Sequence, residues 1–157
     1  MEAYQDYLSI LDVEPTNTKA WAALEELATA AEGASGLAEP AAARALSDAR
    51  RVHRDRGELE LVLRLIDIEL AVVADEGRRA DLLLEKGRLL CEELLDEDRG
   101  GECLRQVLAL RPDDPGAQDM LAEIDRIHSN WESIVEKYVD EAKHQTERQL
   151  TTSLYVA

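Results

Sequence analysis

Residues 88–121 read RLLCEELLDEDRGGECLRQVLALRPDDPGAQDML, and three features of this stretch decide the fold. Apolar residues recur at helical spacing on both sides of Asp96, so the stretch holds two helices and no strand. Gly100, Leu104 and Val107 share one helix face, setting a small, a bulky and an aliphatic side chain in line for a neighbouring helix. Pro112-Asp113-Asp114-Pro115 then stops one helix and starts the next, because Pro cannot continue a helix yet fits its first turn. Links this short force neighbouring helices to run antiparallel.

The same pattern extends in both directions. Upstream, helices are expected over 2–13, from Thr18 (a candidate cap) to the Gly33-Ser35-Gly36 break, from Glu39-Pro40 to Gly57, over 58–74 and over 78–95. Downstream, they are expected over 97–111, 115–128 and 131–144, with Ser129-Asn130 as the break, and from about Thr146 to Ala157. The total is about nine helices in one domain, 1–157. Residues 78–95 carry seven leucines with little polar face, so that helix should be sandwiched between neighbours.

Composition agrees. Leu (24) and Ala (22) outnumber Val, Ile and Thr together (21), a balance that favours helix over strand. There is no Phe, so the core is aliphatic. The net charge of −16 is spread along both halves, which disfavours nucleic acid and anionic membrane as partners. Cys91 and Cys103 are too few for a disulfide framework and suit small buried thiols in a reducing, cytoplasmic setting. The amphipathic start (Tyr4, Tyr7, Leu8, Leu11), without a basic n-region, and the absence of a long apolar run lead us to expect a soluble, unexported chain.

Internal repetition separates a closed bundle from a stack. Ala3, Tyr7, Ile10 and Pro15 follow steps of four, three and five, and Gly100, Leu104, Val107 and Pro112 follow the same steps. The sixth and ninth residues after each Pro are Trp21 and Leu24, or Gln118 and Leu121. Val62, Ile66 and Leu70 likewise match Ile134, Tyr138 and Ala142. With AYQDYLSILDVEPTNTKAWAALEEL (3–27) and the opening stretch, the chain resembles the tetratricopeptide repeat, a helix–turn–helix unit of about 34 residues.

The resemblance implies an α-solenoid of stacked antiparallel helix pairs winding into a right-handed superhelix. Trp21, Leu24, Leu83, Gly87, Leu90 and Leu121 then sit on first helices, and Ala3, Tyr7, Gly100 and Leu104 on second helices. Pro15 and Pro112 are 97 residues apart, short of three repeats, and enclose five expected helices. An irregular link at about 33–39 and a partial repeat at 43–74 reconcile the count. Both ends then fall in mid-repeat, as in a segment of a longer repeat protein or one whose open ends meet other copies.

No residue pattern points to catalysis or a cofactor. His53-Arg54-Asp55 lacks the Asn and glycine-rich loop of a kinase, and Cys91, Cys103 and His128 have no zinc spacing. Trp21, Trp131, Tyr7 and Tyr138 fall on repeat faces and read as packing residues, with Trp131 plugging a helix–helix turn. Arg44, Arg50, Arg51, Arg54 and Arg56 make residues 44–56 net +3, balanced in the simplest reading by local acids such as Asp48. By the resemblance, Arg51, Arg54, Arg88 and Arg126 line the concave face formed by first helices. Guanidinium forks there suit an acidic segment or a C-terminal carboxylate of a protein or peptide partner. The simplest alternative pairs Arg88 with Glu85 or Glu92, and Arg126 with Glu123. The expected function is a non-enzymatic interaction scaffold. The other readings are a self-assembling element and a regulatory segment of a larger enzyme.

Overall fold

The computed structural model describes the backbone of residues 2–31 and 39–155 and the side chains of residues 3–30 and 41–144. Helix is the regular structure among them, with no strand. The seven helices are α1 (Glu2–Val13), α2 (Thr18–Ala31), α3 (Glu39–Asp55), α4 (Leu59–Val72), α5 (Glu76–Arg88), α6 (Glu97–Leu110) and α7 (Pro115–Tyr155). A π-helical turn, Leu89–Glu93, continues α5. The all-α expectation holds. The irregular link expected at 33–39 lies outside the described residues, apart from Glu39, which opens α3.

Four helix starts are held by one device. The side-chain oxygens of Asn17, Asp75, Asp96 and Asp114 accept from the backbone N–H three residues on, at 3.0, 2.7, 3.0 and 3.0 Å. Each satisfies a donor that the first helical turn leaves unpaired. Asn17 caps α2 where Thr18 was expected to, because Thr18 is already helical. Gly57 ends α3 at φ +74°, a conformation only Gly reaches without strain.

Among the described residues seven helices stand where nine were expected, because the breaks at Ser129-Asn130 and Thr146 do not occur. The chain has no Gly or Pro after Gly116, and Ser and Asn each weaken a helix by only about half a kcal/mol. A break there needs a neighbouring helix to fold back onto. Among the described residues none covers this part of α7, which is exposed from His128 to His144. Trp131 therefore plugs no turn and is 62% exposed.

α3 pairs with α4 and α5 with α6, while α1 lies against α2 and α3, α2 against α4, α4 on α5, and α6 on α7. The residues 43–74 expected as a partial repeat fall on α3 and α4, which pack together. α2 packs back on α1 across Pro15, which accommodates the odd number of helices between the two prolines. Three apolar cores follow one another along the chain. Leu11, Trp21, Leu24, Leu46, Leu65 and Ile68 join α1–α4 in the first. Val62, Ile66, Leu82, Leu90 and Cys103 form the second. Leu83, Leu104, Val107, Ala117 and Ile124 form the third. The leucine-rich 78–95 stretch is sandwiched as expected, since Leu82 and Leu83 enter different cores, but Leu95 is 81% exposed.

Of the repeat-matched faces, Gly100, Leu104 and Val107 are buried as a set. The α1 face is shifted by one residue: Tyr4, Leu8 and Leu11 are buried, while Ala3 and Ile10 are exposed. α1 packs against α2 and α3, and this is the face it turns to them. Val62 and Ile66 are buried, whereas their matches Ile134 and Tyr138 are open.

Candidate functional site

The arginine-rich segment of α3 contributes to the interior as well as the surface. Arg50 is buried and ion-pairs with Glu85 of α5 and, at 3.4 Å, with the fully buried Glu69 of α4. Glu69 also accepts from Arg78 at 2.8 Å, and Arg54 reaches Glu85 at 3.1 Å. The acids paired with Arg50, Arg54 and Arg56 thus come from α4, α5 and, as Asp12, from α1, 19 to 44 residues away, and not from Asp48 one turn along. Sequence periodicity registers neighbours on one helix, so it had no means of finding this network.

Of the four candidate arginines, Arg51 and Arg54 lie on α3, Arg88 ends α5 and Arg126 lies on α7. Arg54 is committed to Glu85. Arg126 grips Glu123 with both guanidinium edges at 2.8 and 2.5 Å, which holds that carboxyl below its usual range and raises Arg126. This is the local pairing that the sequence offered as the alternative. Arg88 does not pair with Glu85 or Glu92; its guanidinium reaches the first turn of α7, where a Cβ on Gly116 would come 3.1 Å from Nη2. Arg51 is exposed. Among the described residues, Arg51 and Arg88 have no ion-pair partner. About ten residues of helix, some 15 Å, separate the Arg88 contact from Arg126.

A groove of about 670 Å³ opens between α1 and α3. Leu8, Val13, Ala45, Ala49 and Val52 give it apolar walls, and Asp12 and Asp48 stand among the lining residues. The buried His53 also lines it, with Nδ1 2.6 Å from Glu58 Oε2. The small side chains Ala45 and Ala49, one turn apart on α3, leave the space that larger residues would fill. Val13 and Val52 are 85% and 40% exposed, so the groove has apolar surface available to a ligand.

A second open surface lies on α7. Beyond its contact with α6, Trp131, Ile134, Val135, Tyr138 and Val139 are all exposed. At the point of departure His128 Nε2 meets Glu97 at 3.1 Å, beside the turn that carries Leu95. Leu95 has φ 54°, a left-handed conformation that disfavours any residue but Gly. The sequence reading assigned Trp131 and Tyr138 to packing, since spacing reveals a face but not whether anything covers it.

Cys103 is buried and Cys91 half-buried, on the facing α6 and π turn; burial pushes both thiols up. Among the described residues, no three His, Cys, Asp or Glu side chains gather as metal ligands, and no helix is long and apolar enough to cross a membrane. Comparison with family models, curated proteins and solved structures gives no match for this chain.

Proposed function

We propose that the chain is a non-enzymatic protein-interaction scaffold of tetratricopeptide type, receiving a peptide or helix of a partner along one row of helices. The observation that carries this reading is the α1/α3 groove, whose open, apolar walls suit an amphipathic helix or an extended peptide. α3 continues toward α5 through the Arg50 and Arg54 pairs with Glu85, and α5 toward α7 through Arg88. Three cores in series support a repeat-type stack, because each helix group buries its apolar face against the next. On this row Arg51 and Arg88 are the groups available to an acidic segment or C-terminal carboxylate. The two free cysteines fit a cytoplasmic setting.

The test is a peptide-display selection on the full chain, followed by titration of the selected peptide against two variants. Val52→Glu places a charge in the groove, and Arg51→Ala with Arg88→Ala removes the two open guanidinium groups. At least one variant should weaken binding tenfold or more, about 1.4 kcal/mol, with the helical circular dichroism unchanged. Failure to select any peptide, or a peptide indifferent to both changes, would overturn the reading.

A further inference from the structure

We infer that the projecting part of α7 pairs with the same segment of a second copy, antiparallel, about a two-fold axis near Tyr138. The exposed stripe is continuous with a packed one. Ala117 and Ile124 of α7 are buried in the third core, and Trp131 and Tyr138 follow at intervals of seven residues. A helix drifts by only about 20° per seven residues, so these positions lie on one face. α6 covers the first half of that face, and none of the described residues covers the rest. The five exposed side chains present on the order of 500 Å² of surface, the size of the largest, often functional patch of a monomer.

The charges bordering the stripe specify the occupant. At 100° per residue, Glu132 and Lys143 fall on one edge and Lys137 and Glu141 on the other. None of the four makes an ion pair within the described chain. When two identical helices pair antiparallel, each edge meets the same edge of its mate running backward. Glu132 then faces Lys143 of the second copy, and Lys137 faces Glu141 of the second copy, each pair occurring twice. The midpoints of both pairs fall within one residue of Tyr138, so a single axis satisfies all four. A parallel pair brings opposite edges together, setting Glu132 beside Lys137 of the second copy but Glu136 against Glu141, whereas the antiparallel pair matches all four edge charges. The segment therefore complements itself more fully in the antiparallel orientation. The net charge of −16 opposes association of the two bodies, but the projection carries the contact about 20 Å along α7 away from each. At physiological salt that exceeds the screening length of about 8 Å.

Sedimentation of the full chain over roughly 1–300 µM tests the proposal. Three variants accompany it, each checked for unchanged helical signal: Tyr138→Asp, Glu132→Lys, and Glu132→Lys combined with Lys143→Glu. The expected results are a dimer for the parent chain, a monomer for Tyr138→Asp, and at least tenfold weaker association for Glu132→Lys. The double charge exchange should return association to within about threefold of the parent. A monomer throughout overturns the proposal, whether the stripe then serves a different protein or folds back on its own chain. A dimer indifferent to the changes, or one that the exchange does not restore, overturns the antiparallel pairing.

Discussion

At Gly100 the α5/α6 pair is closer than any side chain allows. A Cβ there would overlap Cys91 Sγ and come within 3.1 Å of the Gly87 carbonyl oxygen. Cys91 is a short side chain on the π turn and Gly87 offers rigid backbone, so neither yields cheaply. Gly100→Ala should therefore cost roughly 1–3 kcal/mol in urea unfolding. Cys91→Ala removes the worst overlap, so the combined variant should recover more than half of that loss relative to Cys91→Ala alone. A Gly100→Ala protein as stable as the parent would mean that the two helices stand further apart. The small residue at this position was readable from the sequence, through its spacing to Leu104 and Val107. Its reason was not, because Cys91 and Gly87 belong to the preceding element, and a period-based reading does not measure distances between elements.

Among elements, α4 shows most clearly what pattern reading captures and what escapes it. Its limits, its apolar character and its pairing with α3 all follow from the sequence between Gly57 and Asp75. Glu69, in contrast, is a charged residue in the middle of that run, and the structure buries it completely against Arg50. Burying two charges is costly, and their attraction returns the cost only while both are present. Glu69→Ala should thus destabilise by roughly 3–4 kcal/mol, the lower part of the usual range because Glu85 still pairs with Arg50. Replacing both, Arg50→Met with Glu69→Leu, should stay within about 1 kcal/mol of the parent. Chemical denaturation of the three proteins checks this, and equal losses in the single and double variants would show that the pair itself holds the helices together. α7 shows the opposite failure. Its apolar period was legible, but the expected turn at Ser129-Asn130 requires a neighbour to reward it, and a list of residues does not say whether one is there. The same holds for the candidate site: arginine positions and the one-turn pair of Arg126 with Glu123 were readable, while Arg54 is committed by Glu85, an acid that only the folded arrangement brings to it.

Across the whole molecule, the proposed stack would make stability a sum of local terms, one for each of the three cores, joined at shared helices. The first core draws on α1–α4, the third on α5–α7, and α4 faces both the first and the second. Such a chain can open in parts, unlike a domain with one centre. Leu24 lies fully buried in the first core and Leu104 fully buried in the third. Truncating either to Ala leaves a cavity worth roughly 2–5 kcal/mol, but the loss should be felt on different sides of α4. Leu24→Ala should speed amide exchange in α1, α2 and α3 by a factor of ten or more while leaving α6 within about threefold of the parent. Leu104→Ala should do the reverse, loosening α5, α6 and the first turns of α7 and sparing α1 and α2. Uniform acceleration along the chain in both variants would mean that the cores unfold as one cooperative unit. That outcome would count against a repeat-type stack, because a stack's defining property is that each element depends chiefly on its neighbours.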